Sequence, residues 1–176
     1  MREVVTAERI DQVMAALGQA AEQETRIYFA GGVTAVLMGW RASTVDIDLI
    51  VVPDTSSVLR EIPALKERLH VNVELASPGH FIPVPSGWEE RSTFIARHGL
   101  VSFYHYDLYA QALSKIERRH ERDRTDVREM IRRGLVEPAK GREYFARIEP
   151  ELYRFPAIDP PSFARAVADE LGPPSA

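Results

Sequence analysis

Two aspartates, Asp46 and Asp48, interrupt a run that is otherwise apolar from Val45 to Val52. A strand sends residues i and i+2 to one face, about 6.6 Å apart along the chain. The two carboxylates therefore point the same way, while Val45, Ile47 and Leu49 point the other. At about 6 Å and an effective dielectric near 20, two such charges repel by roughly 3 kcal/mol. In so apolar a strand that cost calls for an offset, and a hard divalent cation is the natural one. Mg2+ takes a few carboxylates and completes its shell with substrate phosphates. The plain alternative is a solvated strand face.

The residues before the pair sharpen the choice. Ile27 to Ala30 is long enough for a buried strand. Gly31-Gly32 then lets the backbone turn and approach another group closely. Val33 to Met38 reads as a short apolar helix with Gly39 at its C-terminal end. A Gly-Gly turn entering a helix offers free N–H groups and a positive dipole end, which suit a phosphate.

Together, Ala30-Gly31-Gly32 and Asp46-Ile47-Asp48 resemble the signature of the nucleotidyltransferase superfamily typified by DNA polymerase beta. That signature is a hydrophobic residue with Gly-Gly or Gly-Ser, a helix, then Asp-hydrophobic-Asp/Glu on the next strand. The resemblance implies that Asp46 and Asp48 are catalytic and hold Mg2+ or Mn2+, with Gly31 and Gly32 against the nucleotide. The family often has Ser or Thr after the glycine-like pair. This chain has Val33 and then Thr34, which leaves open whether the Thr34 hydroxyl helps hold a triphosphate. Arg41 and Thr44 resemble the Arg and Ser/Thr that commonly precede the metal carboxylates, although Arg41 also suits a surface loop.

Val71 to Leu75 alternates as a strand, with Asn72 and Glu74 on one face. The resemblance implies a third carboxylate here. Glu74 is the candidate, as base towards the attacking hydroxyl or as a further metal ligand; an open sheet edge would also accept it. Asn72 cannot take a proton and is the weaker choice.

Farther along, Leu108, Tyr109, Ala112, Leu113 and Ile116 form one face of a helix expected from Tyr106 to Arg119. Lys115 falls about 20° from Leu108, at the rim of that face. Arg119 and Arg122 follow at i+4 and i+7, so the three cations share a stripe if the helix continues. Asp123 is the expected N-cap of a last helix. The order Asp107, Lys115, Arg122-Asp123, Asp126 resembles the carboxy-terminal motif of bacterial minimal nucleotidyltransferases, including abortive-infection-type toxins. Carried over, Lys115 binds nucleotide phosphates and Asp126 supports it, with Arg122 able to bridge or orient Asp126. A solvated basic helix is the alternative.

The remaining features set bounds. No cysteine is present, which excludes disulfides, zinc-thiolate sites and thiol nucleophiles. Net charge is −4, which argues against bulk nucleic-acid coating. Residues 106–147, however, hold eleven Lys and Arg against eight Asp and Glu, a mildly basic module that suits an anionic substrate. No run approaches the roughly 20 apolar residues of a membrane span, and no signal peptide is read, so a cytoplasmic protein without a membrane partner is expected. Ala7 to Glu22 reads as an amphipathic helix. Residues 53–57 break the chain and offer N-caps for a helix in which Pro63 forces a kink or a second start. Residues 77–88, with three prolines and two glycines, read as a long loop able to wall an acceptor site. His98-Gly99 reads as a hairpin turn.

The expected fold class is α+β, a nucleotidyltransferase fold with a mixed sheet of about five strands, helices packed on it and a helical C-terminal part. The expected division is a core at 1–105, a helical nucleotide-binding subdomain at 106–150, and a C-terminal helix and tail at 151–176. The activity implied is Mg-dependent transfer of a nucleoside monophosphate from a nucleoside triphosphate to a hydroxyl on RNA, protein or a small molecule, with release of pyrophosphate. The rival reading is one component of a toxin–antitoxin pair that acts by binding a partner protein, with residues 150–176 as a partner-binding arm or a poorly ordered tail.

Overall fold

The structure, a computed structural model, describes residues 3–54 and 56–174. Thr55, within the expected cap segment, and Ser175 and Ala176 of the expected tail lie outside the described residues. Packing divides the chain into two compact units, residues 1–77 with 92–106, and residues 78–91 with 107–176.

The first unit is a five-stranded mixed sheet with helices on it. Its elements are α1 (Ala7–Ala20), β1 (Thr25–Ala30), α2 (Gly32–Leu37), β2 (Asp46–Val52), α3 (Ser56–Leu69), β3 (Asn72–Leu75), and, after residues 78–91, β4 (Thr93–His98) and β5 (Val101–His105). Strand order is β3-β2-β1-β5-β4. The β1–β2 and β4–β5 pairs run antiparallel, and the β1–β5 and β2–β3 pairs run parallel.

Alternation decides which side chains go inside. Ile27 and Phe29, Ile47 and Leu49, Val73, Val101 and Phe103 leave one face of the sheet. They pack with Ile10, Val13 and Leu17 of α1 and Val58 and Leu65 of α3. Val33 and Val36 of α2 join the same core. The opposite face carries Tyr28 stacked on Tyr104, ring centroids 5.2 Å apart, and the polar side chains of β2 and β3. Val45, expected to pack inward, precedes β2 and is exposed. No second helix starts at Pro63; α3 runs through it, with the proline ring exposed.

The second unit is helical: α4 (Trp88–Arg91), α5 (Leu108–Arg118), α6 (Glu121–Arg132), α7 (Pro138–Ile148) and α8 (Pro160–Leu171). The expected loop at 77–88 holds a single 3-10 turn, Pro78–His80, before α4. Arg91 secures that loop. Its guanidinium donates to the carbonyls of Pro85 and Ser86 and to Asp107 Oδ2 at 2.8 and 3.1 Å, and it lies 4.4 Å from the centre of the Tyr144 ring. Burial would lower the pKa of Arg91, but the Asp107 carboxylate outweighs it and the value is raised. Asp107 also caps α5 by accepting the Tyr109 N–H, so the helix begins two residues later than Tyr106. Within residues 151–176, expected to hold a C-terminal helix and tail, α8 gives Phe163, Ala166, Val167 and Leu171 to the interior, with Phe163 edge-on to Phe145 of α7 at 4.9 Å. Among the described residues no helix is long and apolar enough to cross a membrane.

One polar contact inside the first unit sets a pH dependence. His105, at the end of β5, is buried and shares a 3.0 Å hydrogen bond with Thr34 Oγ1 of α2. Burial pushes its imidazole down to about 4. The unfolded chain therefore binds a proton below about pH 6.5 that the folded chain refuses until about pH 4. Stability is complete above pH 6.5 and falls as the pH drops through that window. Urea unfolding should show a loss of about 1.3 kcal/mol between roughly pH 7.5 and 5.5, and a His105→Asn variant should lose less. An equal loss in both would contradict this assignment.

Candidate functional site

The sheet face opposite the core gathers the polar residues of β2 and β3. The parallel register sets Asp46 beside Asn72 and Asp48 beside Glu74, and laterally paired residues share a face. All four side chains therefore leave the same side. On the other side Ile47 and Leu49 are fully buried, which fixes the register, since a one-residue slip would exchange the faces.

Asn72 organises the group. Its side-chain N–H2 donates to Asp46 Oδ1 at 2.7 Å and to Glu74 Oε1 at 2.9 Å. Only 5% of Asn72 is exposed, whereas Glu74 is open to solvent. As a proton acceptor Asn72 is the weaker choice on its strand; its place here comes from donating. Its two N–H donors, on the face of the carboxylates, were the signal available.

The glycine pair owes its identity to β2. Gly31 has φ +64°, and a Cβ there would lie 2.6 Å from Asp48 Oδ2. A Cβ on Gly32 would lie 1.9 Å from Thr44 Oγ1. The turn is thus pressed onto the Asp48 carboxylate and onto Thr44, whose hydroxyl also donates to the Asp46 carbonyl at 3.2 Å. Thr44 itself is held in an antiparallel bridge with Val5 by hydrogen bonds of 2.7 and 2.9 Å. Arg41 is half-buried in the connection before β2. Thr34 is fully buried and turned towards His105, because α2 places it on the helix's inner side.

Asp46, Asp48 and Glu74 offer hard oxygen donors on one face, beside a turn stripped of its Cβ. Among the described residues no three Asp, Glu, His or Cys side chains converge into a ready metal cage. This donor set fits a Mg2+ that takes two or three carboxylate oxygens and fills its remaining positions with water and phosphate.

The other candidate residues lie in the second unit. Lys115 is 4% exposed; its Nζ donates to Asp126 Oδ2 at 2.7 Å and to Asp123 Oδ1 at 3.2 Å. Arg118 reaches the same Asp123 oxygen at 3.1 Å. Asp126 is wholly buried. Two cations and two anions thus form a neutral cluster that ties α5 to α6. Asp123, expected as an N-cap, is spent in this cluster, and His120 stands at the cap position of α6 without a side-chain bond. The expected stripe of Lys115, Arg119 and Arg122 does not form, because α5 ends at Arg119, whose φ is +61°. Arg119 instead pairs with Asp169 at 3.5 Å. Arg122 is exposed, and Lys115 bridges Asp126 in its place.

Residues 6–137 match the sequence model of a family described as "Nucleotidyltransferase of unknown function (DUF6036)". No curated protein and no solved structure matches the chain significantly.

Breaking a buried ion pair by removing one partner costs about 3–5 kcal/mol, because the other charge is stranded. Lys115→Met should therefore lower stability by about that much in urea unfolding. Arg122→Ala, at an exposed position, should change it by less than about 0.5 kcal/mol. Similar small effects for both would show that the cluster contributes little to folding.

Proposed function

The chain belongs to the nucleotidyltransferase family of unknown function DUF6036, and we propose that it moves a nucleoside monophosphate from a nucleoside triphosphate to an acceptor hydroxyl. The acceptor is of the RNA, protein or small-molecule class. The reading rests chiefly on one observation: Asp46, Asp48 and Glu74 share a sheet face, with the bare Gly31 turn against Asp48.

In this reaction the acceptor oxygen bonds to the α-phosphorus, the bond from that phosphorus to the bridging oxygen breaks, and pyrophosphate leaves. The hydroxyl proton passes to a carboxylate. Glu74, exposed on that face, would receive it or lend an oxygen to the metal, which Asp46 and Asp48 would hold. A bound Mg2+ would neutralise the charge that builds on the phosphate oxygens. The glycines let the turn lie directly against Asp48 and Thr44, so a phosphate held by the metal would sit beside the backbone of that turn. Arg41 is the candidate for a further phosphate contact from the same unit.

Lys115 has a different standing. Its ammonium is engaged by Asp123 and Asp126, so contact with a phosphate requires a ligand to draw it from that cluster. We assign Lys115, Asp123 and Asp126 first to the integrity of the second unit. Thr34, committed to His105, supports α2 from inside. The rival reading, a toxin–antitoxin component working through a partner protein, expected an arm at 150–176.

The test uses each of the four nucleoside triphosphates, labelled at the α-phosphorus, with Mg2+ and with total RNA or protein as acceptor. Wild type should transfer label from at least one of them. Asp48→Asn should reduce transfer at least about a hundredfold, the scale of losing one preorganised electrostatic group. Circular dichroism checks that the variant is folded. Transfer by Asp48→Asn at the wild-type rate would contradict the assignment.

A further inference from the structure

Asn72 is a buried, uncharged polar side chain on the carboxylate face. It spans two strands, bonded to Asp46 on β2 and to Glu74 two residues along β3. We propose that Asn72 is a positioning residue of this centre, an amide clip that holds the Glu74 carboxylate beside Asp46 before any cation arrives. The proposal rests on the reading that these carboxylates hold a divalent metal.

The chemistry of the face argues for an amide in particular. Glu74 is exposed and on a long side chain, so without an anchor it samples many rotamers and loses that freedom when it binds a ligand. Asn72 removes much of that freedom in advance. Its two donors engage one oxygen of each carboxylate, which leaves each with a second oxygen not bonded to Asn72. An amide does not titrate, so the clip has the same form across the pH range in which the carboxylates are ionised. A lysine here would set a full positive charge against an incoming cation. An aspartate would add a further negative charge and remove both donors. Burial of Asn72 beneath the exposed Glu74 fixes the direction of support, from the sheet outwards.

The test is Mn2+ binding to the full chain, followed by the electron paramagnetic resonance of free Mn2+, on folded proteins checked by circular dichroism. Wild type should bind, and Asp46→Asn should abolish binding. Asn72→Leu, similar in size but without donors, should weaken Mn2+ at least tenfold, the usual consequence of losing a group that orients a metal ligand. In a Glu74→Ala background the same Asn72→Leu change should cost less, because one of the two carboxylates that the clip holds is gone. A merely structural role would give the same factor in both backgrounds. Should Asn72→Leu fail to fold, Asn72→Ser, too short to span both carboxylates, carries the same comparison. Unchanged or tighter Mn2+ binding in the Asn72 variant, with Asp46→Asn still abolishing it, overturns this proposal alone. No Mn2+ binding by folded wild type overturns the metal reading and this proposal with it.

Discussion

Like charges on one sheet face are the constraint around which the first unit is arranged. Asp46, Asp48 and Glu74 repel one another, and nothing about a carboxylate keeps it there. What keeps them there is the opposite face of the same strands. Ile47 and Leu49 are fully buried against α1 and α3, and releasing either side chain to water costs about 1.5–3 kcal/mol. A register slip that separated the charges would expose both. Apolar burial thus sets the position of the charges.

The surroundings of the face make sense on the same terms. Gly31 and Gly32 lack side chains because Asp48 and Thr44 already fill the space. Thr44 holds the start of β2 through its bond to the Asp46 carbonyl. Asn72 offsets part of the repulsion with two donors. The second unit solves its own charge problem differently, by pairing: Lys115, Arg118, Asp123 and Asp126 cancel within the helices. Buried charges are tolerated there because each has a partner. The first unit instead sets its carboxylates on one sheet face beside the Gly31 turn, and that placement is why the sheet face, and not the lysine cluster, is read as the reacting centre.

Much of this was legible in one sequence, and the limits are physical. Period-two alternation with two aspartates located β2 and its two faces, and Gly31-Gly32 marked the turn, because both depend on neighbours in the chain. The parts that escaped depend on distant residues. The partner of Thr34 is His105, 71 positions away, so a hydroxyl expected near phosphate is instead inside the core. Lys115 was read at a helix rim; α6, folding back across a break at Arg119, covers it with two carboxylates. The Arg91–Asp107 pair joins a four-residue helix to the cap of α5, and no periodicity announces it. Alternation puts Asn72 on the carboxylate face, but its two bonds, one of them to Asp46, 26 positions away, depend on the β2–β3 pairing.

The central claim is that the carboxylate face binds a nucleoside triphosphate through a divalent metal. Calorimetric titration of each of the four triphosphates, with and without Mg2+, tests it on wild type and on an Asp46→Ala/Asp48→Ala double variant. The account predicts Mg2+-dependent binding of at least one triphosphate to wild type and none to the folded double variant. Folded wild type that binds no triphosphate, or a double variant that binds as well as wild type, would contradict it.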